Sequence, residues 1–98
     1  LAMHLLVPIA LDMIPLAEGF SIVEMKSPAD FVGKALQDLK LRQRFGINVV
    51  AIKKFNPPEK EGAPPVLASI DNLPRPTSII EKHDILIAIG HEEGFKKL

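Results

Sequence analysis

Apolar residues recur every fourth position in one part of this chain and every second position in others, and the two periods divide it into elements. Leu1, Leu5, Ile9 and Met13 lie four apart, the spacing of one helical stripe, so the pattern predicts a helix over residues 1 to 14. Pro8 either kinks it or starts it afresh, since proline has no N–H to donate and is tolerated in a first turn; Pro15 closes it. Phe20 to Lys26 alternates, with Phe20, Ile22 and Glu24 on one side and Ser21, Val23 and Met25 on the other, and its β-branched centre predicts a strand. Ser27 to Asp30 is a turn leading into Phe31 to Phe45. There Leu36, Leu39 and Leu41 bury one side while lysines and arginines stay wet, which predicts a short helix with room for a break into two. Gly46 supplies a corner. Ile47 to Ile52 is an apolar run interrupted only by Asn48, a strand expected to lie centrally in a sheet.

The prolines of Asn56 to Pro65 exclude helix and central strand and mark an exposed loop. Val66 to Ile70 is an edge strand, and Leu73 to Thr77 a stiff extended connector. Asp84 to Gly90 is the strongest strand signal, ended by glycine, and His91 to Leu98 is a terminal helix. The expected fold is α+β: a small sheet of three to four strands with short helices, without repeats or low-complexity tracts.

Composition narrows the function. At 98 residues, 47% hydrophobic and 24% charged, the chain is one small domain. A domain this size buries only about 60 to 65% of the surface that its unfolded chain exposes, so a homodimer is expected. The absence of cysteine removes disulfides, thiolate metal sites and a cysteine nucleophile, and fits a reducing cytoplasm. Leu5 to Leu11 is interrupted by Pro8, and Ile85 to Ile89 falls far short of the roughly 20 residues that a spanning helix needs. With neither Trp nor Tyr for base stacking, and 12 Lys and Arg against 12 Asp and Glu, no pull toward nucleic acid is expected. The chain opens at Leu1 in mid-pattern, which reads as a piece of a longer protein.

Charge placement says more than the total. Between Phe31 and Lys54, six cations (Lys34, Lys40, Arg42, Arg44, Lys53 and Lys54) face one acid, Asp38, giving +5 here and −5 elsewhere. Such a stretch is either a solvated face or an attractor for a compact anion.

Catalytic and metal chemistry find little support. His4, His83 and His91 lie on different elements with no second imidazole at helical spacing, and His91-Glu92-Glu93 reads as a solvated helix start. Gly90 to Lys97 lacks the spacing of a phosphate loop, and its glutamates would repel phosphate. No serine has a glycine-framed elbow. The expectation is a non-enzymatic domain with no metal and no cofactor.

The order of pieces is more specific: Ser21 to Met25; Phe31-Val32-Gly33-Lys34-Ala35-Leu36; Leu39 to Ile52 with its Arg-Phe-Gly-Ile-Asn; Pro74; and Glu81 to Gly90. This order resembles the C-terminal RCK domain, or TrkA-C domain, the regulatory lobe of cytoplasmic subunits in potassium uptake systems such as Ktr and Trk. The resemblance assigns residues 19–98 to that domain and residues 1–18 to a helix and connector from a preceding lobe. It implies a dimeric, ligand-sensing domain, cytoplasmic and peripheral or tethered to the membrane through a cation transporter or channel subunit. Relatives in the Ktr branch bind cyclic di-AMP in a cleft between two copies. Position by position, their ligand contacts fall on Leu36, Leu41, Arg42, Gln43, Asn48, Val49 and Pro74. In that role Arg42 would offer a planar fork to a phosphate, the Gln43 amide a further donor, and Leu36, Leu41, Val49 and Pro74 apolar walls for adenine. Asn48 inside an apolar strand needs a partner, either ligand or the second copy.

Two departures accompany the resemblance. The proline-rich loop is longer than the family's usual tight hairpin and is expected to alter the site mouth, and His83 stands where glycine commonly precedes the aspartate. The residues also admit other readings. Arg42 can pair with Asp38 one helical turn earlier, and the domain can be a structural dimerisation module without a small-molecule ligand, or an ion-sensing lobe using Glu92 and Glu93.

Overall fold

The computed structural model describes residues 10–98. Its strands are β1 (Ala10–Pro15), β2 (Phe20–Lys26), β3 (Ile47–Asn56), β4 (Val66–Asp71) and β5 (Ile85–His91); its helices are α1 (Leu36–Leu39), α2 (Leu41–Phe45) and α3 (Glu92–Lys96). The strands make one sheet in the order β1-β2-β5-β3-β4, and each neighbouring pair is antiparallel.

The strand with the most continuous apolar pattern lies in the middle. β5 pairs with β2 in unbroken register from Phe20↔His91 to Lys26↔Ile85, and with β3 from Ile47↔Gly90 to Lys53↔Ile85. Alternation then sorts the side chains into two faces. Val23, Met25, Leu86 and Ala88 point to one face, where Phe31, Leu39, Leu41, Ile80 and Phe95 pack over them as the core. Ile22, Ile87 and Ile89 share the opposite face, half-buried, beside the exposed Ile14 and Phe20.

Two sequence expectations need correction. The sheet has five strands rather than three or four, and the extra one is β1, where a helix was expected. Only Met13 of β1 is buried, and a register shift between Ala10 and Asp12 interrupts the alternation that would have marked a strand. Pro15 is tolerated because it ends an edge strand. The part of the expected helix over residues 1–9 lies outside the described residues. β3 is interior, as its apolar run suggested, but the central position belongs to β5.

The helical stretch is broken in two at Lys40, whose backbone is left-handed (φ 49°, ψ 46°). Its start is held by the segment before β5. The Gly33 N–H donates to the Ile80 carbonyl (2.7 Å), Leu36 N–H to Ser78 (3.0 Å) and Gln37 N–H to Pro76 (2.9 Å). These bonds lay the Pro74-Arg75-Pro76 connector beside α1. α3 closes the same end of the sheet, with Gly94 against the Phe45 carbonyl so closely that a Cβ would overlap it.

Candidate functional site

The break at Lys40 shapes a depression. α1 and α2 meet there at an angle, the start of β3 forms its floor, and the Pro74–Pro76 connector forms its far wall. The cavity measures ≈ 380 Å³ and is lined by Leu36, Gln37, Lys40, Leu41, Arg42, Gln43, Ile47, Asn48, Val49, Pro74, Arg75 and Pro76. That volume is at the small end of ligand pockets, which run from roughly 300 to 1,000 Å³.

All seven residues implied by the family resemblance line this one cavity, although they come from four separate pieces of chain. Leu41 is buried, Leu36, Val49 and Pro74 are half-buried, and Arg42, Gln43 and Asn48 are exposed. Gln37, Lys40, Ile47, Arg75 and Pro76 line it as well and were not anticipated. Two signals pointed toward them: Lys40 belongs to the basic stretch, and Arg75 sits between prolines that stiffen its backbone.

The electrostatics are one-sided. Lys40, Arg42 and Arg75 line the cavity and no Asp or Glu does. The Arg42–Asp38 pairing does not form: Arg42 makes no salt bridge among the described residues, because the left-handed turn at Lys40 lies between the two and destroys their helical spacing. Asn48 pairs across from Ile89 and so projects toward the half-covered sheet face. A further depression there of similar volume, formed by Phe20, Gly46, Ile89 and Gly90, shares Arg42, Ile47 and Asn48 with the first. Arg42 and Asn48 therefore sit on the ridge between two concave surfaces.

The proline-rich loop does not touch this cavity, contrary to the expected effect on its mouth. Pro58, Ala63 and Pro65 instead help enclose a second space of ≈ 420 Å³ with Phe55, His83 and Asp84. Lys54 reaches Asp84 (2.7 Å) and Glu81 (3.3 Å) in that neighbourhood. Burial lowers the Lys54 pKa, but the hydrogen bond and charge of Asp84, helped by Glu81, outweigh it and leave it above the ordinary 10.5. His91 caps α3, its Nδ1 accepting from the Glu93 N–H (3.2 Å). Among the described residues no three His, Asp or Glu side chains gather as metal ligands, and no helix is long and apolar enough to cross a membrane.

The family model for the TrkA-C domain matches residues 20–98. Ktr system potassium uptake protein C of Bacillus subtilis (strain 168) is 40% identical over 80 residues, covering 82% of this chain and 31% of its own length. The chain thus spans about a third of the length of the curated relatives it matches. A structure of the KtrA RCK C domain in complex with cyclic diadenosine monophosphate superimposes with a TM-score of 0.54 and 34% identity, covering 80% of this chain and 81% of that one. The GsuK channel bound to NAD gives 0.60 and 28% identity, over 81% of this chain and 13% of that one.

Proposed function

The chain belongs to the TrkA-C domain family, and from that premise we propose that it is a non-catalytic sensor domain that binds cyclic di-AMP between two copies and thereby controls potassium flux. Residues 19–98 form the body of the sensor, and Ala10–Pro15 completes its sheet as the edge strand β1. The domain lies in the cytoplasm, attached to the membrane through a separate cation transporter or channel subunit.

One observation carries this reading: Leu36, Leu41, Arg42, Gln43, Asn48, Val49 and Pro74 converge on one cavity with cations and no carboxylate. Its chemistry suits a nucleotide half. Leu36, Leu41, Val49 and Pro74 give apolar surface for an adenine, Arg42 a bidentate donor for a phosphate, and Asn48 an amide for a base edge or sugar. A second copy facing the first doubles each contact, matching a ligand that is itself twofold. The related KtrA domain, solved with this nucleotide, supports the choice of ligand. Binding regulates flux only if the ligand favours one arrangement of the attached lobes over another.

Isothermal calorimetry with cyclic di-AMP is the test. Wild-type protein should bind one nucleotide per two chains, and Arg42→Ala should weaken binding at least tenfold, as expected for loss of a charge-assisted bidentate contact. A dimer that gives no heat and no thermal shift at high nucleotide would instead be a structural dimerisation module.

A further inference from the structure

Three of the six cations between Phe31 and Lys54 are already engaged elsewhere. Lys53 bonds Glu24 (3.2 Å) and Lys54 bonds Asp84 (2.7 Å), while Arg44 lies over the Phe45 ring (4.9 Å) and donates to the Leu39 carbonyl (3.4 Å). Lys40, Arg42 and Arg75 make no side-chain hydrogen bond or salt bridge among the described residues, and all three line the cavity. Like charges brought together without an acid repel one another, and an anion relieves that repulsion.

The two cations outside the family set, Lys40 and Arg75, have backbones held in place. Lys40 occupies the left-handed turn between α1 and α2. Arg75 lies between Pro74 and Pro76, which restricts it to extended backbone. Its N–H donates to Ser78 Oγ (3.0 Å), and its carbonyl accepts from the Ser78 N–H (2.9 Å). The next carbonyl, of Pro76, is bonded to Gln37 on α1, so the wall carrying Arg75 is fastened to the helix it faces.

We propose that Lys40 and Arg75 are specificity-determining residues of the cavity, completing with Arg42 a three-cation rim that reads the phosphate charge of the ligand. This rests on the reading of the cavity as a cyclic dinucleotide site. Adenine is recognised by the apolar walls, and the rim separates a ligand with two phosphodiesters from uncharged adenosine. Arg75 acts from the connector and Lys40 from the helix break, so the phosphates are gripped from both sides of the groove.

The test is calorimetric titration of cyclic di-AMP and of adenosine into wild type, Arg75→Ala, Arg75→Lys, Lys40→Gly and Lys60→Ala at low and high salt. Glycine is used at position 40 because it keeps the left-handed backbone that alanine would strain. Thermal melting confirms that each variant is folded. Arg75→Ala and Lys40→Gly should each weaken cyclic di-AMP binding by about tenfold and flatten its salt dependence. Arg75→Lys should keep most of the affinity, Lys60→Ala on the remote loop should match wild type, and adenosine should bind weakly to every form alike. Wild-type affinity for cyclic di-AMP with unchanged Kd and salt dependence in Arg75→Ala and Lys40→Gly would overturn the rim alone. So would equal losses in Arg75→Lys and Arg75→Ala, since the role would then not be charge. No binding of cyclic di-AMP to wild type would overturn the underlying site and the rim with it.

Discussion

Asp84 is almost fully buried, its side chain 2% exposed, where a polar group needs partners. It is tolerated because Lys54 Nζ donates to it at 2.7 Å and the Glu81 N–H at 2.8 Å. Removing one member of a buried pair leaves the other desolvated and uncompensated, at about 3 to 5 kcal/mol when burial is complete. Lys54 keeps 24% of its side chain in water, so the loss is smaller here. Asp84→Ala should cost about 2 to 3 kcal/mol in urea unfolding at neutral pH. The same pair sets an alkaline limit. The folded pKa of Lys54 is raised, so the folded state holds its proton where the unfolded chain releases it. Its contribution is therefore whole below about pH 10.5 and is lost as pH climbs through the higher folded value. Stability measured from pH 9 upward should fall less steeply in Asp84→Ala than in wild type.

His83 has a different explanation. Its φ of 75° lies in the left-handed region, which glycine enters without the strain a side chain brings. Ser21 is likewise legible only in part. Alternation placed it on the side of β2 shared with Val23 and Met25, which is the buried side, but no sequence signal showed that its hydroxyl would lack a protein partner.

Among the elements, strands that alternate or run apolar without interruption were readable, and elements shaped by a local irregularity were not. β5 and β2 obey period two along their whole pairing, so sequence and structure agree there. β1 does not, because the register shift after Ala10 displaces its inward position and leaves a pattern that fits a helical stripe equally well. Within Phe31–Phe45 the sequence showed a helix open to a break, but not that helix is confined to Leu36–Leu39 and Leu41–Phe45, nor the left-handed Lys40 between them. The cavity follows the same division. Residues carried by the family pattern were found, whereas Gln37 and Arg75 reach it through backbone bonds between segments about forty positions apart.

The junction of α3 with α2 also gives an element-scale prediction. A Cβ at Gly94 would overlap the Phe45 carbonyl, which cannot move without dragging Gly46 and the start of β3. Overpacking of this kind costs typically 1 to 3 kcal/mol. Gly94→Ala should lower the melting temperature accordingly. It should also weaken nucleotide binding, because Ile47 and Asn48 of the cavity immediately follow the displaced residues.

For the whole molecule, the principal extents of 42 × 33 × 22 Å describe a slab one sheet and one helical layer thick. Its second sheet face carries Ile14, Phe20, Ile22, Ile87 and Ile89 without full cover among the described residues. A two-layer domain of this size has little core to spare, and association removes more apolar surface from water at about 25 cal/mol per Å². The melting temperature should therefore rise with protein concentration, measured by calorimetry across a hundredfold range, as mass action requires for a dimer. A concentration-independent transition would identify a monomer.

The stitching of the Pro74–Pro76 connector to the first turn of α1 joins segments that are remote in sequence. A molecule wedged between them would pull on both arms at once, as a key turns two leaves of a clasp. The segment leading into β5 would then inherit whatever tension the helix feels, and the central strand would pass it to every other strand in the sheet.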